Sequence, residues 1–177
     1  LGLGGIGLEM AKRAKGFDMK ILYHSRTRKP ETEKEYGLQY ASFKRVLTES
    51  DFISIHVPLT PETTRFIGEK QLKMMKSSAI LVNLSRGPVV DTEALCKALT
   101  KGWIAGAGLD VFDPEPVPAG HPVLGLNNVV VLPHIGSASN RSRREMHLLA
   151  ARNLLAGLNG ERLEECANPE VYEFLGI

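Results

Sequence analysis

Cysteine is scarce in this 177-residue chain. The only two, Cys96 and Cys166, lie far apart. That separation gives no metal-ligand spacing and no disulfide framework. Cys96, beside Leu95 and Leu99 in a predicted helix, reads as a buried structural thiol. An excess of either charge is missing too: 22 Lys and Arg face 20 Asp and Glu, a formal +2. This gives no support for a nucleic-acid or membrane-surface partner. No apolar run approaches the ~20 residues that span a bilayer. The chain lacks a leading Met and a charged stretch ahead of an apolar one, so no signal peptide is visible and a cytoplasmic location is expected. Internal repeats and low-complexity segments are also absent. What remains is an ordinary composition, 43% hydrophobic, with enough residues for one domain with a real core.

The most informative stretch is Ile80–Asp91, I-L-V-N-L-S-R-G-P-V-V-D. Its first three residues form an apolar run too short for a helix and rich in branched side chains, hence a buried strand. The strand stops at Ser85-Arg86-Gly87-Pro88, so a guanidinium is presented where it ends. Asp91 is the expected N-cap of the helix that follows, with Glu93 in its first turn. Open α/β sheets bind ligands at the carboxyl ends of their parallel strands, which makes Arg86 a candidate ligand-binding residue.

The chain opens on L-G-L-G-G-I-G. Gly2, Gly4 and Gly7 make G-x-G-x-x-G, followed by Ile6, Met10, Ala11 and Ala14 at helical spacing. In a dinucleotide site such glycines make a tight turn, admit the pyrophosphate and let helix and strand pack closely. The phosphates then rest on the helix N-terminus. Only Leu1 and Leu3 can belong to the strand that should come first, so that strand is expected to be largely missing. Lys20–His24 reads as the next strand. Beyond it, where an acid would accept from the ribose of NAD, the chain has H-S-R-T-R-K. Ser25 and Thr27 can donate to a phosphate, Arg26 can pair with it, and Arg28 belongs to the same basic turn. NADP(H) is therefore the preferred cofactor, with NAD(H) as the alternative.

Further elements alternate along the chain. A helix is expected at Phe43–Glu49, a strand at Asp51–Val57 ending at Pro58, and an amphipathic helix at Gly68–Lys76. Another helix runs over Asp91–Thr100, followed by strands at Trp103–Leu109 and Val129–Leu132. A long helix spans about Ser139 to Leu158, with Met146, Leu149, Ala150 and Leu154 on one face. This alternation argues for an α/β fold, a doubly wound parallel sheet. Residues 1–137 form the dinucleotide-binding domain with the candidate catalytic groups, 138–160 the long helix, and 161–177 a tail without clear pattern. Three strand ends carry side chains suited to catalysis: Arg86, Asp110 and His134, with Glu115 in the loop after Asp110. Histidine is the natural acid/base near neutral pH, and a carboxylate such as Glu115 can fix its tautomer. Arg86 can bind a substrate carboxylate. His56, also at a strand end, is read as structural.

Together G-L-G-G-I-G, N-L-S-R-G-P-V-V-D, A-G-L-D-V-F-D-P-E-P and L-P-H-I-G-S-A-S resemble the D-isomer-specific 2-hydroxyacid dehydrogenases. The chain is similar in particular to their glyoxylate/hydroxypyruvate reductase branch, whose members favour NADPH. The resemblance runs from residue 1 to about 165. It implies a Rossmann-like fold, reduction of glyoxylate and hydroxypyruvate, and a homodimer. It places the catalytic Arg, Glu and His on Arg86, Glu115 and His134, and the nicotinamide-side Asp on Asp110. Cofactor contacts fall on Gly4, Gly5, Ile6, Ser25, Arg26, Thr27, Leu84 and Gly136, with Pro58 near the adenine. Substrate contacts fall on Arg86, His134 and Ser137. The family's substrate-binding domain precedes its glycine fingerprint and has no counterpart in this sequence. The long helix, which in the family returns towards that domain, is expected to expose its apolar face. Transcriptional corepressors share the fold and keep the Arg, Glu and His, so a dinucleotide-sensing binding protein, or an inactive fragment, is the competing reading. Arg26 argues against the former.

Overall fold

A computed structural model of the chain describes residues 1–176; Ile177, the last residue of the expected tail, lies outside the described residues. Helices α1 (Gly5–Lys15), α2 (Pro30–Tyr36) and α3 (Phe43–Glu49) alternate with strands β1 (Leu22–Tyr23), β2 (Gln39–Tyr40) and β3 (Phe52–Ile55). Then follow α4 (Glu69–Leu72), β4 (Ile80–Asn83), α5 (Thr92–Thr100), β5 (Gly106–Leu109), β6 (Val129–Val131), α6 (Asn140–Leu158) and α7 (Val171–Leu175). All strand pairs are parallel. β3, β4, β5 and β6 form one ladder in sequence order, and β1 pairs with β2. Residues 1–3 join the two. Gly2 N donates to His24 O at 2.8 Å, Leu1 N to Ser54 O at 2.7 Å, and His56 N to Leu1 O at 2.7 Å. Three residues thus hold the place expected for the first strand, and the result is the open parallel α/β sheet that the alternation implied.

Burial follows the two-residue period of a strand. Ile53 and Ile55 of β3, Leu81 of β4 and Leu109 of β5 are buried in one cluster with Val46 and Leu47 of α3 and Ala94, Leu95, Ala98 and Leu99 of α5. A second, smaller core gathers Leu3, Ala11 of α1, Tyr23 and Leu38. Asp91 caps α5 as expected, its Oδ1 accepting from Ala94 N at 3.0 Å, and Ser139 caps α6 through Ser142 N.

Several boundaries differ from the sequence expectation, each for a local reason. α2 and β2 go beyond it, although Pro30 sits in the first turn of α2 and Gly37 closes it at φ 66°. The helix expected to run to Lys76 ends at Leu72, because the N–H groups of Met74 and Met75 turn back to carbonyls three residues earlier. Trp103 belongs to no strand. Its N–H closes on Ala98 O, and the ammonium groups of Lys73 and Lys97 lie 4.6 and 5.5 Å from its ring centroid. In the tail, α7 supplies helix where the sequence shows no clear pattern.

The described residues divide into two compact units, with the division after His134, inside the P-H-I-G-S segment. The second unit is built on α6, none of whose residues is buried, and Met146, Leu154 and Leu158 stand exposed on it. Within that unit Arg152 pairs with Glu164, and Tyr172 OH accepts from Leu163 N. Among the described residues no helix is long and apolar enough to cross a membrane.

His56 is structural in a specific way. Its backbone bonds the 1–3 segment, its Nε2 lies 2.8 Å from Ser54 Oγ, and its Nδ1 is buried with no partner among the described residues. Burial holds the imidazole down from the usual 6.5 to about 4. The unfolded chain therefore takes up this proton first, and stability falls as pH drops from about 6.5 towards 4. Denaturation across that interval should show the loss, and a His56→Gln variant should show a shallower one. An unchanged slope would remove His56 as its source.

Candidate active site

The glycine loop is built by close approach. Gly2 has φ +85°, and a Cβ there would lie 2.8 Å from the carbonyl of His56. A Cβ on Gly7 would lie 2.3 Å from Gly2 O. Either side chain would push the loop off the sheet. A Cβ on Gly4 or Gly5 would instead meet nothing within 4 Å, so the loop is open on that side. Gly4 caps α1 with no side-chain acceptor and no acid follows in the first turn, which leaves the first N–H groups, Ile6 among them, available to an anion. A cradle with bare backbone facing open space and a helix N-terminus behind it fits a dinucleotide pyrophosphate.

Beyond β1 the basic turn is more differentiated than its composition suggests. Ser25 Oγ donates to Thr27 O at 2.7 Å. Arg28 makes a two-pronged pair with Glu33, Nε to Oε1 at 2.9 Å and Nη2 to Oε2 at 2.8 Å. Arg26 is exposed and makes no hydrogen bond or ion pair among the described residues. The Glu62 carboxyl sits below the usual range, held chiefly by Thr60 and its own backbone, with a further contribution from the charge of Arg26. Pro58 O accepts from Thr63 Oγ1 at 2.6 Å.

At the end of β4 the loop carrying Arg86 is fastened by a residue the sequence reading does not single out. Asn83 is 1% exposed; its Nδ2 donates to Arg86 O at 2.9 Å, and its Oδ1 accepts from Ser85 N and Ser85 Oγ. An amide at the last position of a buried strand, followed closely by S-R-G, is the signal that could have found it. Leu84 is exposed beside it, and the Arg86 Nη1 donates to Ser85 O. Gly87 is as critical: a Cβ there would fall 1.8 Å from Phe112 O. The Arg86 loop thus lies directly on the loop leaving β5, which begins with buried Asp110 and runs through Phe112 to Glu115.

Of the candidate catalytic groups, His134 and the loop residue Glu115 are brought together. Nineteen residues apart in sequence, they are joined by Nδ1 and Oε1 at 2.6 Å, with side chains 47% and 33% exposed. His134 holds φ +55°, a left-handed conformation that costs a non-glycine residue roughly 1–2 kcal/mol and tends to persist at functional sites. With Nδ1 turned to the carboxylate, Nε2 is directed away from it. On the Glu115 side lies an apolar hollow of about 560 Å³, walled by Phe112, Val117, Leu124, Val131 and Pro133. The Arg86 guanidinium bonds neither member of the pair. Gly136 and Ser137 are exposed residues of the second unit. Among the described residues no cluster suited to a metal ion is present.

Residues 1–136 match the family model described as D-isomer specific 2-hydroxyacid dehydrogenase, NAD binding domain. The chain is similar to the glyoxylate reductase of Thermococcus litoralis, with 58% identity over 171 residues, covering 97% of this chain and 51% of that protein. Among solved structures it is similar to a protein from Thermus thermophilus, with TM-score 0.87 and 48% identity, covering 93% of this chain and 51% of the other. It is also similar to D-lactate dehydrogenase with NAD+ from Lactobacillus jensenii, with TM-score 0.85 and 39% identity, covering 92% and 52%. The chain spans about half the length of the curated relatives it matches. With the glycine cradle and the family's domain coinciding over the same residues, the chain belongs to the D-isomer-specific 2-hydroxyacid dehydrogenases, through their NAD-binding domain.

Proposed function

We propose that the protein reduces small 2-oxo acids, glyoxylate and hydroxypyruvate, to D-2-hydroxy acids with NADPH. The observation that carries this is the 2.6 Å bond between His134 and Glu115, at the carboxyl edge of the sheet that also bears the glycine cradle. Relatives named glyoxylate reductase support the choice of substrate class. When bound, the nicotinamide dinucleotide supplies the hydride that the carbonyl carbon accepts. Glu115 accepts from Nδ1 and fixes the ring, so that protonated His134 gives its Nε2 proton to the carbonyl oxygen. Arg86 takes the substrate carboxylate with its planar fork and polarises the ketone, with Ser137 as a further substrate contact. Asp110 stands on the nicotinamide side.

Arg26 supports NADPH over NADH, because its guanidinium is the one in the 25–28 turn left without a partner among the described residues. Ser25, Thr27, Leu84, Pro58 and Gly136 complete the cofactor contacts in this reading; Arg28 is withdrawn from direct contact by Glu33. The protein works as a homodimer in the cytoplasm. Exposed apolar side chains such as Phe52 and Val130 offer surface for pairing, and two free cysteines suit a reducing compartment.

Joined to a substrate-binding domain of the family, the chain should oxidise NADPH in the presence of glyoxylate. His134→Ala should lower kcat by roughly 10²–10⁴-fold with little change in NADPH affinity. Undiminished turnover would exclude His134 as the acid. In cofactor titrations, Arg26→Ala should weaken NADP+ roughly tenfold and leave NAD+ within about twofold. Equal effects on both would sink the NADPH assignment.

A further inference from the structure

The turn that presents Arg26 is tied down at both ends by one side chain. The chain leaves β1 at Tyr23 and enters α2 at Lys29. Tyr23, buried on β1, donates its hydroxyl to Glu33 Oε1 at 2.6 Å, and the same oxygen of Tyr23 accepts from Lys29 N at 2.8 Å. Residues 24–28 are thereby closed into a loop. Glu33, one turn into α2 with its side chain 13% exposed, also receives both prongs of Arg28. The Arg28 guanidinium lies 5.7 Å over the ring of Tyr40 on β2, which fixes its plane. Bonds from Arg28 first, and then from Tyr23, lower the Glu33 carboxyl to about 2, so it is a charged acceptor near neutral pH. These anchors of the loop converge on Glu33, and none on Arg26.

We infer that Glu33 is a positioning residue for cofactor choice: by holding Tyr23, Arg28 and, through Tyr23, Lys29, it sets the loop from which Arg26 reaches a ribose 2′-phosphate. The inference rests on the NADPH reading and adds to it a residue that never touches the cofactor. It also gives Arg28 a separate duty. Although it is the second cation of the turn, it is spent on the clamp, and its charge is matched by Glu33. A carboxylate that merely stapled a surface turn would affect both dinucleotides alike. One that orients Arg26 affects only the dinucleotide bearing the extra phosphate.

The test is calorimetric titration of the 177-residue chain with NADP+ and with NAD+, for the unaltered protein, Arg26→Ala, Glu33→Gln and Arg28→Met. Glu33→Gln should raise the Kd for NADP+ roughly five- to tenfold and that for NAD+ by less than about twofold. Arg28→Met should act in the same direction by roughly threefold, because Glu33 would still hold Tyr23; it also serves if Glu33→Gln fails to fold. Equal weakening of both cofactors would reduce Glu33 to a structural staple and overturn the inference. Tighter NADP+ binding by Glu33→Gln would overturn it too, since a released Arg28 would then be a phosphate ligand. If Arg26→Ala discriminates between the cofactors and Glu33→Gln does not, the positioning role fails while the NADPH reading stands. If Arg26→Ala does not discriminate, both fall.

Discussion

The arrangement of this molecule depends on the register of its parallel ladder. Asn83 pairs with Leu109, and Leu109 with Val131, so β4, β5 and β6 end side by side. Each strand then releases a loop at the same edge. Because the connections are parallel crossovers, no tight hairpin ties those loops together, and they must be brought into contact by other means. Two devices do so. Gly87 lets one loop lie on the backbone of Phe112 and Asp113, and the Glu115–His134 bond links the second loop to the third. Shift any one strand by a residue and its buried side chains would turn to the opposite face, and its loop would leave the edge.

Much of this is legible in the sequence, for reasons that can be named. Apolar runs such as Ile80–Val82 and the caps Asp91 and Ser139 act locally, so residue types alone locate the elements around them. The glycine fingerprint is legible because Gly2 and Gly7 answer a geometric demand that no other residue meets. What escapes are features set by tertiary context. Trp103 looks like a strand residue until two lysines from neighbouring segments approach its ring. β2 is two residues long and carries too short a pattern to read, whereas β1 falls inside the strand expected at Lys20–His24. Asn83 stands in plain view in the N-L-S-R-G motif, yet its value lies in a buried amide that satisfies both sides of a turn. In the basic turn, composition does not show that Arg28 pairs with the acid five residues beyond it while Arg26 makes no such bond among the described residues.

The site combines two kinds of rigidity. At the glycine loop shape governs: His56 and Gly2 are in backbone contact, and bulk on either of Gly2 or Gly7 is excluded. At the strand ends hydrogen bonding governs, with Asn83 fastening the Arg86 loop and Glu115 fixing the imidazole. His134 adds a backbone constraint, a left-handed φ at the residue whose ring bonds Glu115. A side chain held by both its backbone and a hydrogen bond has few alternative directions.

The two cores bear on how a change near the basic turn is felt. Tyr23 and its neighbours pack with Leu3, Ala11 and Leu38, whereas the strands that lead to Arg86, Asp110 and His134 pack in the larger cluster. Tyr23 roots the basic turn in the small core, while Leu22 beside it packs against the large one, so β1 spans both. A change of side chain on β1 is thus felt in two packing environments at once.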